Sequence, residues 1–406
     1  MPTSSPSIAP RNVTTADLQR RLDTRTKPQG SLGRLETLAI RIGLTLQSER
    51  PRFTQPRIMV FAGDHGVAPA GVSAFPQEVT AQMVMNYLSG GAAINVLARQ
   101  LGLALAVIDA GVASPLAPTP GLIDRSLGRG TRNYLQEAAM TAEQCDAAIA
   151  SGRELAASAI ADGSNALLLG EMGIGNTASA AMLLHRVLEW PLEDCVGRGT
   201  GLDDAGLLRK LLLLQAASAR CPGRLTPRDA LAEFGGFELA MIVGAIREAA
   251  RHRCLVVIDG FAVSVAALIA GLMEGASSAT ARIGGGGDGG ASGISGVSRG
   301  GGGDDSGDSG DSAARGGIGA GGGIGAGGGG GGGDASVLSH CVFSHCSAEK
   351  AHRALLRHLD VQPLLDLELR LGEASGAALA WPLIDSSARL LSDMASFEAA
   401  GVSDRS

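Results

Sequence analysis

Short aliphatic runs alternate with helical patterns along most of the chain. Each run ends abruptly in small or acidic residues, and the runs occupy residues 58–62, 103–108, 166–169, 254–258 and 337–343. Uninterrupted apolar runs of this length are typical of strands that are buried on both faces of a parallel sheet. The pattern therefore predicts a strand at each run and helices between them.

The intervening helices have recognisable beginnings. Thr141 and Gln144 match a capping box, and Thr226 precedes a proline at the first helical position. Strands that alternate with helices indicate an α/β fold in which helices cover both faces of a parallel sheet. We predict that residues 51–347 form this large domain.

The two ends of the chain depart from this alternation. Residues 16–46, 348–359 and 382–398 show helical patterns only. We therefore expect residues 1–50 and 348–406 to form one small helical subdomain together.

A glycine-rich tract interrupts the large domain over residues 276–336. Glycine makes up 28 of the 50 residues between positions 284 and 333. Fixing the backbone of one residue costs about 1–2 kcal/mol, and this tract has almost no side chains to bury in return. We therefore expect a flexible insertion here and not a folded domain.

The composition excludes several classes of function. A formal charge of −6 and only 12 aromatic residues argue against a nucleic-acid surface, which needs clustered cations and stacking platforms. No uninterrupted apolar run is long enough to cross a membrane. The six cysteines form no CxxC pair and the first ten residues do not resemble a signal peptide, so we expect a cytoplasmic protein with reduced thiols.

The fold class predicts where a ligand binds before any motif is considered. Ligands of open parallel sheets bind beyond the carboxyl ends of the strands. Asp64, Glu171 and Asp259 each follow one of the predicted strands. We expect these three carboxylates to converge at one edge of the sheet.

Two glycine-rich turns are candidates for anion binding. Residues 170–177 (GEMGIGNT) follow a strand and open a helix, where backbone N–H groups and the helix N-terminus favour negative charge. This turn is either a phosphate cradle or a tight connection without a ligand. Residues 197–202 precede a helix that carries Lys210, whose side chain is either a second phosphate contact or part of a solvated face.

A third segment begins with Asp64-His65. The pair is compatible with a metal site, a general base or a capped turn, and a turn that lines a pocket is favoured because no further ligand lies nearby in the sequence. Ser73, Phe75 and Gln82 combine an apolar plate with hydrogen-bonding groups, which suits a flat heteroaromatic ligand.

Two more segments carry side chains with potential chemistry. The pairs His340-Cys341 and His345-Cys346 are five residues apart, so on one strand they point to opposite faces, and a strand end is favoured over a zinc site. Glu373 is an isolated carboxylate among small and apolar residues. It is either a base, because burial away from water would raise its pKa toward neutrality, or a cap for the helix that follows.

Several ordered segments resemble the nicotinate-nucleotide–dimethylbenzimidazole phosphoribosyltransferase family. The resemblance spans roughly residues 17–275 and 337–397. The segments that carry it are RTKPQGSLG at 25–33, GDHGV at 63–67, GGAAIN at 90–95, GEMGIGNT at 170–177, GRGTG at 197–201, SHCSAE at 344–349 and RLGE at 370–373. So many matches in the same order are not expected by chance.

The resemblance implies transfer of phosphoribose from nicotinate mononucleotide to 5,6-dimethylbenzimidazole, giving α-ribazole 5′-phosphate and nicotinate for the lower ligand of cobalamin. It also implies a homodimer with a Rossmann-like large domain, and the reaction needs no cofactor or metal ion. The catalytic glutamate of the family corresponds to Glu373, and Glu171 is expected as a second carboxylate. The expected substrate-binding residues are Ser73, Phe75, Gln82, Gly173, Ile174, Gly175, Asn176, Thr177, Gly201, Lys210, Asp259 and Ser344.

Two other functions stay open on sequence alone. The glycine-rich tract replaces a short connection of the family and is expected to adjoin the site, so the chain is alternatively a non-catalytic or altered ligand-binding relative. A kinase is disfavoured because a Walker A lysine and a cluster of magnesium-binding carboxylates are missing. We expect the fold to survive the tract, because loop closure costs only about 0.6 kcal/mol for each doubling of loop length.

Overall fold

The computed structural model of the protein describes residues 12–283 and 336–403. Its six-stranded sheet is parallel throughout and has the order β3-β2-β1-β4-β5-β6. The strands are β1 Arg57–Gly63, β2 Ala104–Gly111, β3 Leu122–Asp124, β4 Ala166–Met172, β5 Leu255–Ile258 and β6 Cys341–Phe343. The predicted α/β fold is confirmed, and the strand order reverses between β1 and β4, where sheets of this type bind ligands.

Helices connect the strands and form both ends of the described chain. Two single-turn 3-10 helices, Ala68–Ala70 and Val337–His340, add to them. The α-helices are α1 Thr15–Asp23, α2 Arg34–Thr45, α3 Val79–Ser89, α4 Ala93–Leu101, α5 Ala142–Ala161, α6 Asn176–Leu188, α7 Leu192–Cys195, α8 Asp204–Arg220, α9 Pro227–Phe234, α10 Phe237–Arg251, α11 Phe261–Ile283, α12 Lys350–His358, α13 Ser375–Asp393 and α14 Phe397–Ala400.

The sheet is buried on both faces, as its apolar runs predict. Successive side chains of a strand point to opposite faces. Met59 and Phe61 of β1 join one hydrophobic cluster, whereas Ile58 and Val60 join another. All four are at most 2% exposed, so β1 lies in the centre of the core.

The structure corrects the predicted elements in three places. Residues 337–340 form a 3-10 turn, in which Ser339 N–H donates to the Ser336 carbonyl, so β6 is only three residues long. Strand β3 was not predicted, because three residues at the sheet edge produce no recognisable apolar run. The predicted helical stretch 16–46 is divided by a loop between α1 and α2 that contains two glycines with positive φ, Gly30 and Gly33.

Arginines from the beginning of the chain bind the end of α13. The guanidinium of Arg21 donates to the Leu391 carbonyl at 2.9 Å, and that of Arg25 donates to the same oxygen at 2.8 Å. Cationic side chains at a helix C-terminus satisfy carbonyls that have no partner within the helix. These bonds join the two chain ends, although the domain boundaries themselves stay a prediction.

The glycine-rich tract falls almost entirely outside the described residues. Helix α11 runs to Ile283, which is beyond the predicted start of the tract at residue 276. The chain is described again from Ser336, and Val337 N–H donates to the Glu274 carboxylate of α11 at 2.9 Å. The described ends of the tract therefore lie at the amino-terminal side of β6. Among the described helices, none is long and apolar enough to span a membrane.

The carboxyl end of β4 packs directly against a distant segment, residues 372–374. Glu171 N–H donates to the Gly372 carbonyl at 2.8 Å. A Cβ atom on Gly170 would lie 2.2 Å from the Ala374 nitrogen, so only glycine permits this approach. The contact brings the residue before α13 onto the edge of the sheet.

We expect Gly170→Ala to lower the free energy of unfolding by about 1–3 kcal/mol, because the added methyl group must displace the backbone at residue 374. Urea unfolding followed by circular dichroism measures this change. Ala104→Val, at the exposed start of β2, adds carbon atoms without a buried neighbour and should stay within about 0.5 kcal/mol. Unchanged stability of Gly170→Ala would show that the segment can move away at little cost.

Candidate active site

Glu373 lies at the carboxyl edge of the sheet, immediately before α13. Its side chain is buried, and Oε1 accepts hydrogen bonds from Ile94 N–H at 3.0 Å and from the Ser375 hydroxyl at 3.2 Å. Ile94 is in the first turn of α4, where N–H groups are free to bind an anion. Glu373 therefore lies at the N-terminus of α4, and it also contacts the first residue of α13 through the Ser375 hydroxyl.

Asp259 supplies the cap that α13 lacks. It follows β5 and is fully buried, and its two carboxylate oxygens accept from Ala377 N–H at 2.9 Å and Ala374 N–H at 3.2 Å. Burial raises the pKa of Asp259 to about 7; the neighbouring Glu373 carboxylate adds to this effect, whereas the backbone N–H groups oppose it. Both carboxylate oxygens of Asp259 therefore accept hydrogen bonds from the start of α13.

Glu171 is the second carboxylate at this edge. Its Oε2 atom accepts a short hydrogen bond from the Asn176 amide. Burial raises the pKa of Glu171 well above its ordinary value, and the Glu238 and Asp259 carboxylates add to the effect. A carboxyl group in these surroundings retains its proton more readily than one in water.

Asp64 connects the end of β1 to the first glycine turn. Its two oxygens accept from the Thr80 hydroxyl at 2.6 Å and from Ala113 N–H at 2.8 Å. The same Thr80 oxygen accepts from Ile174 N–H at 3.1 Å. These bonds are those of a capped turn, whereas the pocket that this turn was expected to line stays a prediction.

His65 is fully buried beneath the same glycine turn. Its two ring nitrogens lie 2.7 Å from Glu238 Oε1 and 2.8 Å from the Ser179 hydroxyl. Burial disfavours the charged imidazole, but the Glu238 and Asp64 carboxylates outweigh it and raise the pKa of His65. Across residues 12–283 and 336–403, no three His, Cys, Asp or Glu side chains are arranged to hold a metal ion.

The two glycine turns meet at Lys210. Its buried ammonium donates to the Thr177 hydroxyl at 3.0 Å and to the Gly197 carbonyl at 3.1 Å. An ammonium group has three donors, so one remains available for an anion. Burial lowers the pKa of Lys210 to about 8, and the Glu349 carboxylate opposes this shift.

The first turn has the geometry of an anion site. Gly175 has φ +102°, a left-handed conformation that favours glycine, and directly precedes α6, which begins at Asn176. The turn therefore presents a helix N-terminus beside the Lys210 ammonium. Gly201, which has φ +127°, lies exposed in the second turn.

The residues expected to bind a flat ring lie on the loop before α3 and on that helix. The Ser73 hydroxyl accepts from Phe75 N–H at 3.2 Å, Phe75 is 47% exposed, and Gln82 is exposed on α3. Their role stays a prediction. Ser344, by contrast, is fully buried, and its hydroxyl donates to the Asp259 carbonyl at 3.2 Å.

The segment around His345 lies behind the site. His345 Nδ1 is 3.8 Å from the Asp259 carboxylate and 3.1 Å from the Ser344 hydroxyl. Burial lowers the pKa of His345 to about 4, so this imidazole is neutral near pH 7. His340 closes the 3-10 turn before β6, which separates it from this cluster.

Two residues that shape the site were not predicted from the sequence. Tyr87 of α3 is 3% exposed, and its hydroxyl is buried close to the Glu373 carboxylate. Burial raises the pKa of Tyr87, and the Glu373 and Glu171 carboxylates add to this effect. Ile94 contributes only its backbone N–H, so no side-chain pattern reveals it, although it lies in the GGAAIN segment.

Comparison with known proteins gives one consistent result. A phosphoribosyltransferase family profile matches residues 9–284 and 333–402. The crystal structure of CobT from Thermus thermophilus superposes with a TM-score of 0.78 at 37% identity, covering 96% of this chain and 99% of that chain.

Curated relatives match over almost the whole length. The nicotinate-nucleotide–dimethylbenzimidazole phosphoribosyltransferase of Cupriavidus taiwanensis is 45% identical over 389 residues, which cover 96% of this chain and 95% of the relative. The enzyme of the same name from Aromatoleum aromaticum is 46% identical over 391 residues, or 96% of each chain. The glycine turns, the buried carboxylates and these matches agree: the chain belongs to the nicotinate-nucleotide–dimethylbenzimidazole phosphoribosyltransferase family.

Proposed function

We propose that the protein transfers phosphoribose from nicotinate mononucleotide to 5,6-dimethylbenzimidazole, forming α-ribazole 5′-phosphate and nicotinate for the lower ligand of cobalamin. The observation that carries this proposal is the buried Glu373 carboxylate, held at the same sheet edge as the 173–177 turn and Lys210. A proton acceptor and an anion cradle at one edge suit a reaction in which a ring nitrogen loses a proton while a phosphate is held.

The Glu373 carboxylate accepts the N–H proton of the benzimidazole. The other ring nitrogen forms a bond to C1′ of the ribose, on the face opposite the pyridinium group. The bond between C1′ and the pyridinium nitrogen breaks, and its electron pair returns to the nicotinate ring. That nitrogen is cationic in the substrate, so its departure needs no general acid, and one base is sufficient.

The phosphate binds at the N-terminus of α6. The 173–177 turn offers backbone N–H groups there, and the Lys210 ammonium lies against Thr177. The His65 ring lies beneath the turn, close to Gly173 and Gly175, and is paired with Glu238. The phosphate is carried along and not transferred, so the reaction needs neither a metal ion nor a cofactor.

Glu171 and the exposed pocket residues complete the site. Glu171, whose pKa burial raises, lies beside Asn176 of the 173–177 turn and is placed to form a hydrogen bond with the ribose or the nicotinate group. Phe75 provides an apolar surface for the benzimidazole, and Ser73 and Gln82 provide polar contacts at the rim of this pocket.

The direct test mixes the protein with nicotinate mononucleotide and dimethylbenzimidazole and measures nicotinate release by chromatography. We expect nicotinate and α-ribazole 5′-phosphate in equal amounts. Binding of the base without release would favour the alternative, a ligand-binding relative that has lost turnover.

Glu373→Gln should retain binding of both substrates and lose at least about 100-fold in kcat, because a positioned base contributes on this scale. Steady-state kinetics, together with calorimetric titration of the base, separates these effects. Glu368→Gln is the matched control, since Glu368 is exposed on the loop that leads to Glu373. An equal kcat for wild type and Glu373→Gln would remove Glu373 from the role of base.

Lys210→Met should raise the KM for nicotinate mononucleotide about 10- to 100-fold, because a charge-assisted hydrogen bond to the phosphate is lost. In the wild type this KM should rise above about pH 8, where Lys210 loses its proton, and the variant should lack this rise. Kinetics from pH 6 to 9.5 measure both effects, with the exposed Lys350→Met as control. A similar rise in the variant would assign the pH dependence to another group.

A cytoplasmic homodimer is part of the same proposal. Leu208 and Leu212 of α8 are each 57% exposed and lie four residues apart on one helix face. An apolar face of this kind suits cover by a second copy of the chain. All six cysteines are free thiols, which is compatible with a reducing compartment.

The double variant L208E/L212E should convert a dimer into a monomer, because four buried carboxylates would face one another across a symmetric interface. Light scattering after size-exclusion chromatography gives the mass directly. L367E, at another exposed leucine, should remain dimeric. If the double variant keeps the wild-type mass, the contact lies elsewhere.

A further inference from the structure

We propose that Asp259 is a positioning residue for Glu373, and that it acts by fixing the start of α13. This inference rests on the proposed function of Glu373 as a base. Asp259 was expected from the sequence to touch substrate, but both of its oxygens are bound by Ala374 and Ala377 N–H groups. Asp259 therefore affects the reaction indirectly, by fixing the start of α13.

The backbone around Asp259, which we call the anchor of α13, is itself held by the sheet. Ser344 N–H donates to the Ile258 carbonyl at 2.9 Å, and the Ser344 hydroxyl donates to the Asp259 carbonyl at 3.2 Å. Asp259 directly follows β5 and is fully buried. A change at this carboxylate is therefore transmitted to the helix and not absorbed by movement of the strand.

The link from the anchor to Glu373 is one residue long. Ala374 donates to Asp259 and has φ +68°, a left-handed conformation that is unfavourable for a residue with a Cβ atom. Such a conformation persists only where its surroundings enforce it. This turn places the Glu373 carboxylate 3.0 Å from Ile94 N, at the N-terminus of α4.

The chemistry of Asp259 also favours a local positioning role over a stabilising ion pair. Its nearest imidazole, His345, has a pKa lowered to about 4 and carries no charge near neutrality. A buried carboxylate held by backbone N–H groups is costly to desolvate, so the α13 bonds are its compensation. Asp259 is therefore buried despite its desolvation cost, and its bonds to α13 fix the position of the base, Glu373.

The test is a double-mutant cycle of D259N and E373Q with nicotinate mononucleotide and dimethylbenzimidazole. The amide of Asn can accept one of the two helix bonds but not both. We expect D259N to lower kcat about 10- to 100-fold with each KM within about twofold of wild type. In the E373Q background, the same change should alter the residual rate by less than about twofold. Equal losses in both backgrounds, or a loss confined to KM, would overturn the proposal.

A second measurement does not depend on turnover. Hydrogen exchange at the Ile94 amide, without substrate, should quicken at least about tenfold in D259N, because Glu373 no longer holds that N–H. S344A, a milder change at the anchor, should quicken it in the same direction and serves if D259N does not fold. Unchanged Ile94 exchange in a folded variant would contradict the proposal.

The matched control is D109N. Asp109 lies two residues before the end of β2 and also accepts from two backbone N–H groups, those of Gly111 and Val112, each at 2.9 Å. Asp109 lies on β2, away from α13. D109N should therefore leave the exchange rate of the Ile94 amide, kcat and each KM unchanged. If the wild type releases no nicotinate, the proposed function fails, whereas Ile94 exchange still decides whether Asp259 positions Glu373.

Discussion

The site depends on one close approach, that of residues 372–374 to the carboxyl end of β4. Gly170 leaves room for the Ala374 backbone, and Glu171 N–H binds the Gly372 carbonyl. Residues some 200 positions apart in the sequence are thereby placed in van der Waals contact. Without this approach, Glu373 would not reach the edge at which the strand order reverses, and the carboxylate and the glycine turn would belong to separate surfaces.

Charge is distributed unevenly along that edge. Lys210 lies at the Thr177 end of the 173–177 turn, Asp259 and Glu373 lie at the start of α13, and Glu171 lies between them, bound to Asn176 and to Gly372. These three acids are held by backbone N–H groups, the Asn176 amide and the Ser375 hydroxyl, and not by arginines or lysines. Backbone donors compensate a buried carboxylate without supplying a full positive charge. This arrangement favours phosphate at one end of the site and a neutral ring that loses a proton at the other.

The sequence predicted the fold and the location of the site better than it predicted the hydrogen bonds within the site. Apolar runs predicted five of the six strands, although the last run begins four residues before β6, and the topology of such sheets directed attention to Glu171 and Asp259. Neither the cap that Asp259 provides for α13 nor the bond from Ile94 to Glu373 has a local signature. Each joins residues more than 100 positions apart and depends on backbone N–H groups that every residue type except proline possesses.

The position of the glycine-rich tract bears on whether the site can work. The sequence led us to expect the tract beside the site. However, α11 leaves the carboxyl end of β5 and runs back along the sheet, and Val337 binds Glu274 before β6 begins. The described ends of the tract are therefore at the amino-terminal edge of a parallel sheet, whereas Glu373 and the 173–177 turn lie at its carboxyl edge. Insertions at an edge remote from the site are tolerated more readily than insertions in the loops that form it. This geometry argues for an active transferase and against a relative that the tract has disabled.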